Sequence, residues 1–130
     1  MLTLVEVAIL SKKKPIEVQK GFLKDTAEDQ KRFIQAKFKW GKESITIMNG
    51  YFPQGENRSH ETKFPKKIKY YSDLKKHIKK TQKIEENIIV MGDFNVAPSP
   101  LDIGIGEINA KRWLKEGKTA FLPEEIDMWN

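Results

Sequence analysis

The segment Asn87-Ile-Ile-Val-Met91 constrains the fold most. It is apolar and largely β-branched, with a polar residue before it and Gly92 after it. A short run that is apolar throughout, rather than alternating, predicts a strand covered on both faces, as in the middle of an α/β sheet. A different period precedes it. Ile68, Tyr71, Leu74 and Ile78 recur at three- and four-residue spacing between Phe64 and Gln82, which predicts an amphipathic helix with Pro65 in its first turn. Before the helix, Val5–Leu10 reads as a short strand closed by Ser11–Pro15, and Ile16 to Gly21 as a second. Arg32–Trp40 reads as a strand with one solvated face. Gly41-Lys42-Glu43 is a hairpin-type link, and Ile45–Met48 a β-branched strand ended by an Asn49-Gly50 turn. Later, Gly104 and Gly106 mark a loop, Ala110–Lys115 a short helix, and Pro123 the start of another. The expected class is α/β. A strand precedes any turn at the start and a helix has just opened at the end, so residues 1–130 are expected to be part of a larger domain.

A chain of 130 residues is the size of one domain. Lys plus Arg number 24 against 18 for Asp plus Glu, a net charge of +6. The excess is local: Glu61 to Lys83 holds nine lysines and two acids. Such a face attracts phosphate polyanions in a salt-dependent way without base specificity, and a solvated lysine-rich helix is the plainer reading. With no cysteine, a disulfide scaffold and a thiolate zinc site are excluded. Apolar runs fall far short of a membrane span, and Glu6 interrupts the first of them, which lacks a basic flank. A soluble, cytoplasmic protein with no membrane partner is expected.

Two segments carry chemistry. In Met91-Gly92-Asp93-Phe94-Asn95 the strand delivers an acid and an amide two residues apart, so both can point the same way from the strand end. Such an oxygen pair suits Mg²⁺ or a reacting phosphate; an Asx turn closing the strand is the alternative. In Asn49-Gly50-Tyr51-Phe52-Pro53-Gln54 the Tyr51 phenol could lie beside a phosphate, with Gln54 and Asn49 offering amide contacts. The alternative there is a turn with an aromatic plug.

Together with Leu101-Asp-Ile-Gly-Ile-Gly-Glu107, Lys111-Arg-Trp-Leu-Lys115 and Phe121-Leu-Pro-Glu-Glu125, these segments resemble the bacterial exonuclease III branch of the endonuclease/exonuclease/phosphatase superfamily. The likeness runs from near Val7 almost to Glu125 and covers the middle half of the family's usual domain. It implies a partial four-layer α/β sandwich lacking its N- and C-terminal portions, with residues 1–130 as the central part of a single domain. It also implies Mg²⁺-dependent cleavage of DNA phosphodiesters (Mn²⁺ being able to substitute), as a 3′-to-5′ exonuclease on duplex DNA and an endonuclease at abasic sites. Carried over residue by residue, Tyr51 sits at the scissile phosphate. Asp93 activates or protonates in the reaction and lies near the metal, and Asn95 orients the phosphate, stabilises transition-state charge and accompanies Asp93 at the metal. Gln54 contacts substrate, and Arg32 is a weaker match to a residue on the DNA backbone.

The family's metal-binding glutamate, a further asparagine and a Ser-Asp-His motif have no match here, and His60 and His77 read as solvated. The isolated chain is therefore expected to hold metal weakly and to be inactive or nearly so. The full-length family is expected to be monomeric, whereas a fragment with exposed strand edges can self-associate. Trp113 is expected in the core, contact with a DNA groove being the alternative. The alternative function is a non-catalytic, basic nucleic-acid-binding chain.

Overall fold

The computed structural model describes residues 6–26, 29–81, 83 and 86–130, with Asp29 and Gln30 described by their backbone alone. The strands are β1 (Glu17–Lys20), β2 (Phe33–Trp40), β3 (Glu43–Tyr51) and β4 (Asn87–Asp93). The helices are α1 (Lys63–Thr81), α2 (Glu107–Glu116) and α3 (Pro123–Trp129). Among the described residues the strands form one sheet in the order β1-β2-β3-β4. The first two pairings are antiparallel and β3–β4 is parallel. Antiparallel neighbours need only a tight turn, here Gly41-Lys42 with Gly41 at φ 63°, whereas a parallel pair needs a crossover, and α1 lies in that connection. The chain is thus α/β, and it divides into two compact units: residues 1–51 with 73–94, and residues 52–72 with 95–130.

The first unit holds the sheet. Phe22, Phe33, Ala36, Phe38, Met48 and Leu74 are buried in it. Phe22 stacks on Phe33 with ring centroids 4.4 Å apart. His77 is also buried, against the expectation of a solvated residue. It follows Leu74 by three on the apolar stripe of α1, and its ring meets the edge of Phe33 while Nε2 bonds Gln35 Oε1 at 2.8 Å. Burial holds the imidazole below its ordinary pKa, with the Asp25 carboxylate opposing part of that shift. The unfolded chain therefore takes up this proton more readily than the folded one. The stabilisation is complete above the unfolded value of about 6.5 and is lost as pH falls from there through the lower folded value. Melting temperature is expected to drop as pH falls below about 7, and His77→Gln, which can still bond Gln35, to flatten the profile. An equally steep profile for that variant would exclude this origin.

Three further expectations change. Glu6–Leu10 form no strand, although Val7 N donates to Lys31 O at 3.1 Å; the first five residues lie outside the described set. Asn49-Gly50 is no turn, because β3 continues through it: Asn49 pairs with Ile34 on one side and Met91 on the other, and its Nδ2 donates to Ala8 O at 2.9 Å. Finally, β4 lies at an edge of the sheet among the described residues, with Ile89 and Met91 43% and 41% exposed. Residue type predicts cover on both faces, which takes elements packed on each side of the sheet; among the described residues the face that carries Ile89 and Met91 stays exposed.

The second unit is built from the loops after β3 and β4, the first half of α1, and α2 and α3. Phe52 packs between Tyr70 and Tyr71, with ring centroids 4.7 and 4.8 Å away, and Phe121 and Leu122 are buried. Trp113 stacks on Phe121. The Lys118 ammonium lies 5.1 Å from its ring, and the residue is half-buried rather than core. Arg58 and Glu124 form a bidentate pair on the surface, which raises the guanidinium's pKa and lowers the carboxyl's.

Candidate phosphate-contacting site

In the first unit the parallel register sets Gly50 against Gly92 and Tyr51 against Asp93. Register partners on adjacent strands are about 4.8 Å apart and project from the same face, so the phenol and the carboxylate leave two strand ends side by side. Gly92 makes this closeness possible. Its φ is +130°, and a Cβ there would stand 1.9 Å from the Gly50 carbonyl oxygen. Tyr51 is half-buried and Asp93 exposed. The Arg32 guanidinium lies over the Tyr51 ring, 5.0 Å from its centroid, and its Nη1 approaches Tyr51 O at 3.4 Å. A cation on the ring face fixes the tilt of the phenol and brings positive charge next to it. Arg32, Tyr51 and Asp93 thus form one group.

The second unit holds Gln54 and Asn95. Asn95 has φ 50°, a left-handed turn beyond the end of β4, so the two-residue alternation of a strand stops short of it. Its Nδ2 donates to Phe52 O at 2.8 Å. The Gln54 side chain accepts from Glu56 N at 2.7 Å, closing a local turn, while its carbonyl faces the ammonium of Lys67.

Lys67 and Glu125 escape a reading by sequence. Both are fully buried and paired. In sequence Lys67 is one lysine of a run, yet it stands three, four and seven residues before Tyr70, Tyr71 and Leu74, on the apolar stripe of α1. Glu125, third residue of α3, reaches back to Leu122 N at 2.9 Å, a helix-start contact that its position after Pro123 already allows.

Among the described residues no group of three or more His, Asp or Glu stands together as a ready metal cage. Mg²⁺ does not require one. It is commonly held through one or two carboxylates, with water and substrate phosphate completing six oxygens, and the exposed Asp93 carboxylate suits one such ligand.

Residues 6–129 match the model of the Endonuclease/Exonuclease/phosphatase family. Exodeoxyribonuclease III of Haemophilus influenzae is 50% identical over 119 residues, which are 92% of this chain and 45% of that protein. The chain thus spans under half the length of that curated relative. Among solved structures, an AP endonuclease from Archaeoglobus fulgidus superimposes with a TM-score of 0.71 at 27% identity, covering 89% of this chain and 40% of that one. The 3′-5′ exonuclease NExo from Neisseria meningitidis gives 0.71 at 22% identity, over 88% and 41% of the two chains. A Neisseria 3′ phosphatase NExo bound to a product DNA hairpin gives 0.73 at 22%, over 92% and 42%. The two NExo likenesses establish shared fold.

Proposed function

Because the chain belongs to the endonuclease/exonuclease/phosphatase family, we propose that it is the central part of one such domain and serves hydrolysis of DNA phosphodiesters in the manner of exodeoxyribonuclease III. The observation that carries this reading is the alignment of Tyr51 with Asp93 at adjacent strand ends, with Arg32 over the phenol. The Tyr51 hydroxyl donates to a non-bridging phosphate oxygen, and the neighbouring guanidinium offsets the charge that builds on phosphorus-bound oxygens. Asp93 accepts a proton from the attacking water or holds the cation. The Asn95 amide orients the phosphate, and Gln54 borders the strand of DNA. Asp93 would hold a divalent cation, Mg²⁺ or Mn²⁺, which would supply positive charge for the leaving 3′ oxygen. Duplex and abasic-site DNA are the proposed substrates, read through their phosphates rather than their bases.

One carboxylate holds Mg²⁺ weakly, so the 130-residue chain by itself is expected to give no turnover. The assay is cleavage of duplex and abasic-site DNA in Mg²⁺; turnover that disappears in Asp93→Ala would overturn this expectation. Binding tests the site independently. With Mg²⁺ present, Asn95→Ala is expected to weaken duplex binding about tenfold, as loss of one charge-assisted hydrogen bond would.

A second reading rests on α1, where Lys66, Lys69, Lys75, Lys76, Lys79 and Lys80 are solvent-accessible and Asp73 is the lone acid of the helix. A non-catalytic chain that holds nucleic acid by this face predicts steep salt dependence, together with indifference to Mg²⁺ and to Asn95→Ala.

A further inference from the structure

The buried ammonium of Lys67 is spent on backbone. Nζ donates to Asn95 O at 2.6 Å and to Gln54 O at 3.3 Å, and it pairs with Glu125 Oε1. An ammonium has three N–H donors, and these three acceptors come from three separate segments. The other carboxylate oxygen of Glu125 accepts from Ala120 N at 2.8 Å and Leu122 N at 2.9 Å. Ala120 O in turn accepts from Ala97 N at 2.6 Å. The contacts close a ring that runs from Asn95 through Lys67, Glu125 and Ala120 to Ala97 and back. The lysine stem has little room to leave: a Cβ on Gly55 would stand 2.9 Å from Lys67 Cδ.

A buried ion pair is a poor way to gain stability, since well-packed apolar residues of the same volume do as well or better. What apolar residues cannot do is satisfy two main-chain carbonyls outside regular structure. Both carbonyls belong to residues proposed above to meet the substrate, and one sits on the left-handed backbone of Asn95, a conformation that persists only when its surroundings hold it. We propose that Lys67, braced by Glu125, is a positioning residue that fixes the backbone of Asn95 and thereby the direction of its amide. Its relevance to DNA rests on the nuclease reading, but the geometry can be read without DNA.

The experiment uses the ¹⁵N-labelled 130-residue chain and a Lys67→Met/Glu125→Gln variant. The amide introduced by the second substitution retains an acceptor for Ala120 N and Leu122 N, while both carbonyls lose their donor. Exchange of the Ala97 amide is expected to speed up about tenfold and the Asn95 side-chain amide signals to move, with the Ala120 and Leu122 amides nearly unchanged. A folded variant in which Ala97 and Asn95 behave as in the parent would overturn the proposal. So would uniform acceleration across the second unit, which marks general loosening. Should the variant not fold, the parent decides. A hydrogen-bonded buried ammonium gives a slowly exchanging ¹⁵N–¹H signal at neutral pH, assignable to Lys67 through correlation to the Asn95 carbonyl, and its absence would refute the role. A chain that passes these tests, yet whose duplex binding in Mg²⁺ is unchanged by Asn95→Ala, would count against the nuclease reading alone.

Discussion

Replacing Gly92 with alanine is expected to pull β4 away from β3. Two costs add. The backbone at φ +130° is one that L side chains rarely adopt, at roughly 1–3 kcal/mol. The new methyl would also stand 1.9 Å from the Gly50 carbonyl oxygen, a backbone atom that cannot move without breaking the ladder on which Tyr51 and Asp93 are aligned. The total should reach at least about 3 kcal/mol, a large share of a domain's stability. Gly41→Ala is the control, since its φ is +63° and nothing lies within 4 Å of the added carbon; it should cost about 1 kcal/mol. Urea denaturation of both variants measures the contrast. Equal losses would mean that close strand approach is not what selects glycine at position 92.

Lys67→Met is expected to be as damaging for a different reason. It leaves Glu125, whose side chain is fully buried, without its partner, and removing one member of a buried pair costs about 3–5 kcal/mol. Limited proteolysis should then cut within residues 95–125, and the melting transition should fall or broaden. Lys63→Met provides the comparison. Lys63 pairs with Glu56, but both are more than half exposed, and a solvated, screened pair contributes little. A small effect at Lys67 would show that Glu125 finds another donor.

Part of this is legible in the sequence, and the rest is hidden for identifiable reasons. The cores of β2, β3, β4 and α1 are readable because β-branched runs and three-four spacing report local backbone geometry directly. Tyr51, Asp93 and Asn95, the proposed site residues, are singled out by motif resemblance, and each sits at or just past a strand end. The boundaries of α2 come out short: the sequence predicts Ala110–Lys115, whereas the helix runs from Glu107 to Glu116, its first turn being too polar to announce itself. Lys67 and His77 are misread, and the buried Glu125 goes unremarked, when residue type outweighs position. All three are charged or ionisable, all three are buried, and the two on α1 lie on its apolar stripe. That β4 ends the sheet among the described residues is illegible in principle, because which strand lies beside which is decided by residues distant in sequence.

The pairing of Gly50 with Gly92 acts as an index mark for the whole ladder. Slipping β4 by one residue in either direction would bring Met91 or Asp93 opposite Gly50, forcing a side chain where there is no space, and would turn every side chain of β4 to the opposite face. The carboxylate of Asp93 therefore cannot drift gradually away from the phenol of Tyr51. The two are either in step or the strand is off the sheet, and the chemistry at this edge is inherited all at once with the backbone alignment.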